Sequence, residues 1–237
     1  MTILNIAGYQ FISLQGLSEL RVNLLEYART LQLKGTILLS IEGINVALAG
    51  DDTAVKAFIR FLKKDLRFSD MTFRESGSDT VPFKQMKVKI KKEIITFGEP
   101  AIRPALQRAP SISPHTFKQW LDENRDILVL DTRNSYEICF GTFARATHCK
   151  LDDFSEFPRA SDNLPKTKPI VMFCTGGVRC EKAGLYLLNS GFSEVYQLEG
   201  GILNYFSEVG SAHYQGDCFV FDDRVAVSPD LKTAKLT

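Results

Sequence analysis

Apolar residues in the first fifty positions alternate between the spacing of strands and the spacing of helices. The run 3–14 predicts a strand, and leucines then recur at helical spacing over 17–31. Two shorter strand-like runs follow at 36–41 and 46–49, separated by a tight connection. This part of the chain therefore predicts a strand, a helix and a hairpin.

A second helix and two more strands follow. Apolar residues from Val55 to Leu66 share one helical face, Met71 to Phe73 predicts a fourth strand, and an added strand is expected over about 84–97. The order β-α-β-β-α-β is the split βαβ or ferredoxin-like pattern. We therefore expect a ferredoxin-like α+β domain over residues 1–98.

The second half alternates strands with helices. Residues 99–112 are rich in proline and lack periodicity, which predicts a linker, and Ser113-Pro114 suits the start of a helix over 116–121. Alternation of strands and helices predicts a parallel α/β sheet over residues 113–212, followed by a tail over 213–237. The expected strands are 127–130 (ending at Asp131), 146–151, 170–173, 195–198 and, in the tail, 218–221.

The composition is that of an ordinary globular protein. Lys and Arg number 29 against 28 Asp and Glu, but residues 1–98 hold 14 against 10 and residues 99–237 hold 15 against 18. Five unpatterned cysteines and three scattered histidines argue against a disulfide framework and a zinc site. No signal peptide or membrane-length apolar run is visible, so a reducing cytoplasm is the expected setting.

The segment around Cys174 carries the clearest chemical signal. Cys174 follows a buried strand and begins a loop through Thr175, Gly176 and Gly177 that leads into a helix near Arg179. Backbone N–H groups and the helix dipole at such a place favour a thiolate or a bound anion. Cys174 is therefore the candidate nucleophile, with the loop Thr175, Gly176, Gly177, Val178 and Arg179 as its anion-stabilising surroundings.

The other cysteines have simpler expected roles. Cys180 adjoins the loop and is either a resolving thiol for Cys174 or a packing residue, and helical position favours packing. Cys139, Cys149 and Cys218 are expected to be structural.

Two further groups of charged residues are candidates for supporting roles. Asp131 and Arg133 end a buried strand, where an internal ion pair is the favoured interpretation and direct catalysis by Asp131 the alternative. A dense basic run is consistent either with a charged edge strand or with a phosphate-binding track. Its members are Lys84, Lys87, Lys89, Lys91 and Lys92.

Several of these residues resemble the rhodanese pattern. That pattern joins an Asp-x-Arg strand end, a Glu and a Gly a few residues on, a loop from Cys to Arg, and a late Gly-Gly before a helix. Here the matches are Asp131, Arg133, Glu137, Gly141, Cys174 to Arg179 and Gly200-Gly201. Four residues between Cys and Arg are typical of sulfurtransferases, whereas the related phosphatases have five, so persulfide chemistry is favoured over phosphate ester chemistry.

A closer resemblance covers almost the whole chain. The motifs GTILLSIEGINVALAG, CTGGVRCEKA and GDCFVFDDRVAV, in this order, resemble the tRNA uridine(34) hydroxylase family. Many members of that family continue into a cysteine-rich C-terminal region, whereas this sequence ends at Thr237.

The resemblance implies an activity and a substrate. It implies dioxygen-dependent conversion of uridine to 5-hydroxyuridine at the tRNA wobble position, with Cys174 as the active residue, as a persulfide. It also favours the phosphate-track interpretation of the lysines, with the first domain binding the anticodon arm. No cofactor or metal motif is recognisable, and dioxygen would be a co-substrate. A plain sulfurtransferase and a tRNA-binding or sulfur-carrier module without turnover are the alternatives.

Overall fold

The computed structural model describes residues 3–235, so the outermost two positions of the expected first domain and of the expected tail lie outside the described residues. The chain divides into two compact units. One comprises residues 3–94 together with Phe221–Arg224, and the other comprises Ile95–Val220 together with residues 225–235. The unit boundary at Ile94 falls inside the strand that the sequence predicts over 84–97, and residues 99–112 belong to the second unit.

The first unit is a five-stranded sheet with two helices. The strands run in the order β4-β1-β3-β2-β5, with antiparallel pairing except between β2 and β5, which are parallel. The β-α-β-β-α-β order expected from the sequence is confirmed. The elements are β1 (Ile3–Phe11), α1 (Leu17–Thr30), β2 (Lys34–Ser40), β3 (Gly43–Gly50), α2 (Asp52–Leu62), β4 (Arg74–Ser78) and β5 (Met86–Ile90), with a 3₁₀ turn at Leu66–Phe68.

Two strands of this unit differ from the sequence prediction. The fourth strand is Arg74–Ser78 and not Met71–Phe73, because Met71 packs into the apolar core instead of pairing with β1. The added strand covers only Met86–Ile90, and its neighbour is β2 alone, so β5 lies at a sheet edge. Helix α2 follows its expected course, with Asp51 accepting a hydrogen bond from the Thr53 N–H as its N-cap.

The second unit is built on a parallel sheet in the order β6-β11-β10-β7-β9. Two short antiparallel pairs, β8 with β12 and β13 with β14, accompany it. Its strands are β6 (Ser111–Ile112), β7 (Leu128–Asp131), β8 (Gly141–Phe143), β9 (Thr147–His148), β10 (Ile170–Phe173), β11 (Val195–Leu198), β12 (Tyr214–Gly216), β13 (Cys218–Phe219) and β14 (Ala226–Val227). Its helices are α3 (Pro114–Asp122), α4 (Ser135–Ile138), α5 (Phe157–Ala160), α6 (Val178–Asn189) and α7 (Gly201–Val209), with a 3₁₀ turn at Phe154–Glu156.

The central strand β10 separates two apolar clusters because successive side chains of a strand point to opposite faces. Ile170 and Met172 belong to one cluster, and Val171 and Phe173 to the other. Cys174, one residue beyond the strand, continues the first set. Since β10 and β7 are parallel, with Phe173 opposite Asp131, the two expected functional strand ends lie side by side.

The ends of the expected linker and of the helix after it have defined structure. Ser111–Ile112, assigned to the linker from the sequence, forms β6 and pairs with β11. Ser113 accepts a hydrogen bond from the Thr116 N–H at 3.1 Å, so α3 begins as the Ser-Pro pair predicts. No helix among residues 3–235 has both the length and the apolarity that a membrane span requires.

Candidate active site

The loop from Cys174 to Arg179 surrounds a buried sulfur with hydrogen-bond donors. Cys174 is buried, and its Sγ accepts the Gly177 N–H at 3.1 Å and a further N–H from Arg179. Gly177 has a φ of 100°, a left-handed conformation that glycine adopts without steric cost and that places its N–H toward the sulfur. Helix α6 begins at the next residue, Val178, so its N-terminal N–H groups also favour negative charge here.

The electrostatic balance at Cys174 favours the thiolate. Burial alone raises the pKa of Cys174. A hydrogen bond from the Cys180 thiol, the charge of Arg179 and the N–H groups of Arg179 and Gly177 outweigh it and lower the pKa to about 6. A thiolate therefore predominates at neutral pH, which is the reactive form of a cysteine.

Arg179 is held by a second buried charge. Its guanidinium donates two hydrogen bonds to Glu137, one of them from Nη2 to Oε2 at 2.8 Å, and both side chains are buried. Burial lowers the pKa of Arg179, but the bonds to Glu137 and its charge raise that pKa above the ordinary value. Arg179 therefore acts on Cys174 mainly through charge and its backbone N–H, while Glu137 fixes its position.

Glu137 itself is fixed by a capping box. Its Oε1 accepts the Asn134 N–H at 3.1 Å, at the start of the single-turn helix α4. Glu137 appears in the sequence only as a member of the rhodanese pattern, and its contact with Arg179 was not predicted. The spacing Asn134-x-x-Glu137 is the signal that locates the cap but not the ion pair.

Helix α7 holds the other side of the loop. The N–H groups of Ile202 and Leu203 donate to the carbonyls of Cys174 and Thr175 at 2.9 and 3.1 Å. Gly201 has a φ of 65°, and a Cβ on it would lie 2.4 Å from the Cys174 carbonyl oxygen. Gly201 thus lets α7 approach the loop closely and bind two of its carbonyls.

The Asp131–Arg133 ion pair lies one strand away from the loop. Arg133 donates from Nε and Nη2 to Asp131 at 2.9 and 2.7 Å, and both side chains are fully buried. Thr142 donates to the same carboxylate at 2.7 Å, and the Gly141 carbonyl accepts from Arg133 at 2.6 Å. These contacts tie the end of β7 to β8, which is the internal role expected for the pair.

The remaining sequence candidates lie outside the loop itself. Cys218 is buried, and its side chain contacts Thr175 of the loop; burial raises the pKa of Cys218 to about 12, which makes it a poor nucleophile. In the first unit the five lysines of the basic run are exposed. Lys87 and Lys89 lie on β5, and the others lie beside it: Lys84, Lys91 and Lys92.

Each unit contains a segment that matches a known domain family. The sequence profile "UPF0176 acylphosphatase like domain" matches residues 3–94, and the profile "Rhodanese-like domain" matches residues 113–208. The chain is 48% identical over its whole length to a protein from Burkholderia mallei named tRNA uridine(34) hydroxylase, covering 84% of that protein. The chain belongs to the tRNA uridine(34) hydroxylase family.

Another relative gives a similar match. A Cupriavidus metallidurans protein of the same name is 49% identical to this chain, and the alignment covers 99% of this chain and 86% of that protein. Among solved structures, a rhodanese-like domain from Anabaena sp. aligns at 23% identity with a TM-score of 0.39, covering 45% of this chain and 79% of that domain. The two profile matches and the sheet orders confirm the fold class expected from the sequence, a rhodanese-like parallel-sheet domain preceded by a ferredoxin-like α+β domain.

The lowered pKa of Cys174 predicts a specific pH dependence of alkylation. The rate of reaction with iodoacetamide should follow the thiolate and reach half its maximum near pH 6, falling as the pH drops below that value. Replacing Arg179 by Gln removes a positive charge and should move the midpoint upward, whereas Arg159→Gln, at an exposed arginine, should leave it unchanged. Peptide mass spectrometry at Cys174 gives the rates. A wild-type midpoint above pH 8 would contradict the assignment of Cys174 as a thiolate.

Proposed function

We propose that this protein hydroxylates uridine at the wobble position 34 of tRNA, using dioxygen and forming 5-hydroxyuridine. The observation that supports this most is full-length identity of 48% to a relative named tRNA uridine(34) hydroxylase, combined with the thiolate site at Cys174. Neither would suffice alone, because a rhodanese-like domain serves several chemistries and function is decided by the site.

The reactive sulfur of this proposal is on Cys174, as its own Sγ or as a sulfane sulfur bound to it. The N–H groups of Gly177 and Arg179 stabilise negative charge at that position. A Cβ placed on Gly176 would meet no atom within 4 Å, so the loop has an open side there. The target base reaches the sulfur as an extruded nucleotide, since chemistry at C5 requires a base free of its stacked neighbours.

The test of this activity is nucleoside mass spectrometry. Purified protein is incubated with in-vitro-transcribed tRNA carrying uridine 34, in air and under nitrogen. We expect 5-hydroxyuridine in air only, at position 34 only. Equal product under nitrogen would reject dioxygen as the co-substrate, and no product under any condition with reductant present would reject the activity.

We further propose that the basic strand β5 binds the anticodon arm. Lys87 and Lys89 alternate with Met86 and the buried Val88, so both lysines stand exposed on an edge strand. Phosphate contacts of this kind supply most of the sequence-independent affinity for RNA. The net charge of residues 1–98, with 14 Lys and Arg against 10 Asp and Glu, agrees with this role.

Charge reversal on β5 should weaken tRNA binding. The triple variant Lys87→Glu, Lys89→Glu, Lys91→Glu is expected to raise the Kd for tRNA more than about tenfold at low salt and to flatten the dependence of log Kd on log salt by about two units. Fluorescence anisotropy at several salt concentrations measures both. Arg60→Glu, Lys63→Glu, Lys64→Glu changes the same charge in the same unit and serves as the matched control. Equal effects in the two variants would show that only net charge matters, against a site on β5.

A sulfurtransferase is the second candidate function. The rhodanese-like match over residues 113–208 and the four residues between Cys174 and Arg179 favour it. In that reaction Cys174 would accept sulfane sulfur from a donor such as thiosulfate and pass it to a nucleophile. Thiosulfate:cyanide turnover by the whole chain, without any change in tRNA, would favour this function over hydroxylation. In either case we propose a cytoplasmic setting, where tRNA and reduced thiols are both present.

A further inference from the structure

Two thiols share the active loop. Continuation of the β10 alternation places the Cys174 side chain in the same apolar cluster as Ile170 and Met172, and Cys180 belongs to that cluster as well. The Cys180 thiol hydrogen-bonds the Cys174 sulfur. Both residues are buried, and the two sulfurs lie in hydrogen-bond contact.

The surroundings of Cys180 keep it in the protonated form. Its Sγ lies 3.7 Å from the Thr132 hydroxyl, which donates to the Phe173 carbonyl at 3.0 Å. Burial and the neighbouring Cys174 raise the pKa of Cys180 well above its ordinary value. The pair therefore consists of one thiolate and one thiol, an arrangement that packing alone does not require.

The proposed hydroxylation needs two electrons from a donor. Uridine takes up one oxygen atom of dioxygen at C5, and the other oxygen atom must be reduced to water. That reduction consumes two electrons and two protons, which is the amount that two thiols release when they form one disulfide.

We propose that Cys180 is the resolving thiol of the reaction and that the Cys174–Cys180 pair supplies its two electrons. This inference rests on the proposed function. Dioxygen first adds at C5, where a C–O bond forms, the C5–H bond breaks and the hydrogen ends on the outer oxygen, giving a hydroperoxide. The Cys174 thiolate then attacks the outer oxygen, the O–O bond breaks, Cys174 becomes a sulfenic acid, and the inner oxygen remains on C5 and takes up the proton that the Cys174 thiol released, as the hydroxyl group. The Cys180 sulfur then attacks Cys174 Sγ, the S–O bond breaks, and the oxygen leaves as water with the Cys180 proton. The sum is uridine, dioxygen and two thiols giving 5-hydroxyuridine, water and one disulfide.

The loop is able to accommodate this disulfide. The two sulfurs start in hydrogen-bond contact and must approach to about 2.05 Å. A Cβ on Gly176 would meet no atom within 4 Å, so the loop has open space on the side away from α7. An external dithiol that reduces the disulfide then returns the protein to its starting state.

The inference is tested in a single turnover. The protein is reduced with dithiothreitol, which also removes any sulfane sulfur, freed of the reductant under nitrogen, mixed with transcribed tRNA and then exposed to air. We expect about one 5-hydroxyuridine per protein and an equal amount of the Cys174–Cys180 cross-linked peptide, lighter by two hydrogens than the free pair. Omitting tRNA should leave the disulfide at background level.

Variants of Cys180 test whether it forms the disulfide after Cys174 has been oxidised. Cys180→Ser, which keeps a hydroxyl donor beside the Cys174 sulfur, should form 5-hydroxyuridine more slowly, leave Cys174 as a sulfenic acid that dimedone traps, and form no disulfide. Cys180→Ala serves as a second variant should Ser disturb the cluster, and the exposed Cys139→Ser should behave like the wild type.

The outcomes separate the inference from the proposed function. Product formed only with an added electron donor, with Cys174 and Cys180 remaining thiols, would overturn the inference and leave the hydroxylase function standing. No product from the wild type, even with a donor present, would overturn both.

Discussion

Replacing Cys174 by serine should abolish the proposed formation of 5-hydroxyuridine while leaving tRNA binding intact. The Gly177 and Arg179 N–H groups stabilise a thiolate, and a serine hydroxyl does not ionise at neutral pH. Loss of a reactive nucleophile lowers turnover by more than about a thousandfold. Ser is close to Cys in size, so the loop and the fold should persist. Nucleoside mass spectrometry of tRNA from cells that lack their own enzyme, complemented with each variant, measures the effect.

Cys149 provides the matched control for this substitution. Burial raises the pKa of Cys149 to about 11, so its thiol is not ionised at neutral pH, and Cys149→Ser should retain wild-type levels of the modified nucleoside. Wild-type levels of the modified nucleoside with Cys174→Ser would show that Cys174 takes no part in the reaction. A similar loss in both variants would point to damage to the fold rather than to the loop.

The fold could be predicted because its elements have regular periodicity. The helices α1 and α2 and the strand β10 follow directly from apolar spacing, and Ser113-Pro114 marks the start of α3. The fourth strand was predicted too early in the sequence, because apolar content alone does not distinguish a residue that pairs in a sheet from one that packs in the core. Met71 packs in the core, whereas the polar segment Arg74–Ser78 pairs with β1. Tertiary contacts determine the position of that strand, and the local sequence pattern does not reveal such contacts.

The loop could be predicted, but the contacts that tune it could not. Cys174, Gly177 and Arg179 are adjacent in sequence, so spacing reveals them. Glu137 lies 42 residues before Arg179, and only the folded chain brings the two together. The contact between Cys180 and Cys174 depends on the residue at which α6 starts after β10. Sequence periodicity does not locate a helix start to within one residue.

The geometry also changes the expected role of Arg179. An arginine that closes an anion-binding loop suggests a guanidinium directed at the anion, whereas the Arg179 guanidinium donates two hydrogen bonds to Glu137. Its charge still lowers the pKa of Cys174, together with the hydrogen bond from Cys180 and the N–H groups of Arg179 and Gly177. These donors have fixed positions, so they need no rearrangement when charge develops.

Gly201→Ala should disable the site without any change to the loop sequence. A Cβ at this position would lie 2.4 Å from the Cys174 carbonyl oxygen and 2.9 Å from the Gly177 nitrogen, and these backbone atoms cannot move aside independently. The N–H of Gly177 is a donor to the sulfur, so displacement of the loop should raise the pKa of Cys174 and lower both its alkylation rate at pH 7 and the proposed hydroxylation by more than about tenfold.

The left-handed backbone at Gly201 adds a cost of its own, and Gly16 separates the two effects. Gly16 has a φ of 65°, the same as Gly201, and is left-handed, but a Cβ there would meet nothing within 4 Å. Gly16→Ala should therefore lose only about 1–2 kcal/mol of stability from the conformation and keep the reactivity of Cys174. Chemical denaturation and iodoacetamide kinetics on both variants measure the two quantities. If Gly201→Ala loses no more reactivity than Gly16→Ala, close packing of α7 against the loop does not set the state of Cys174.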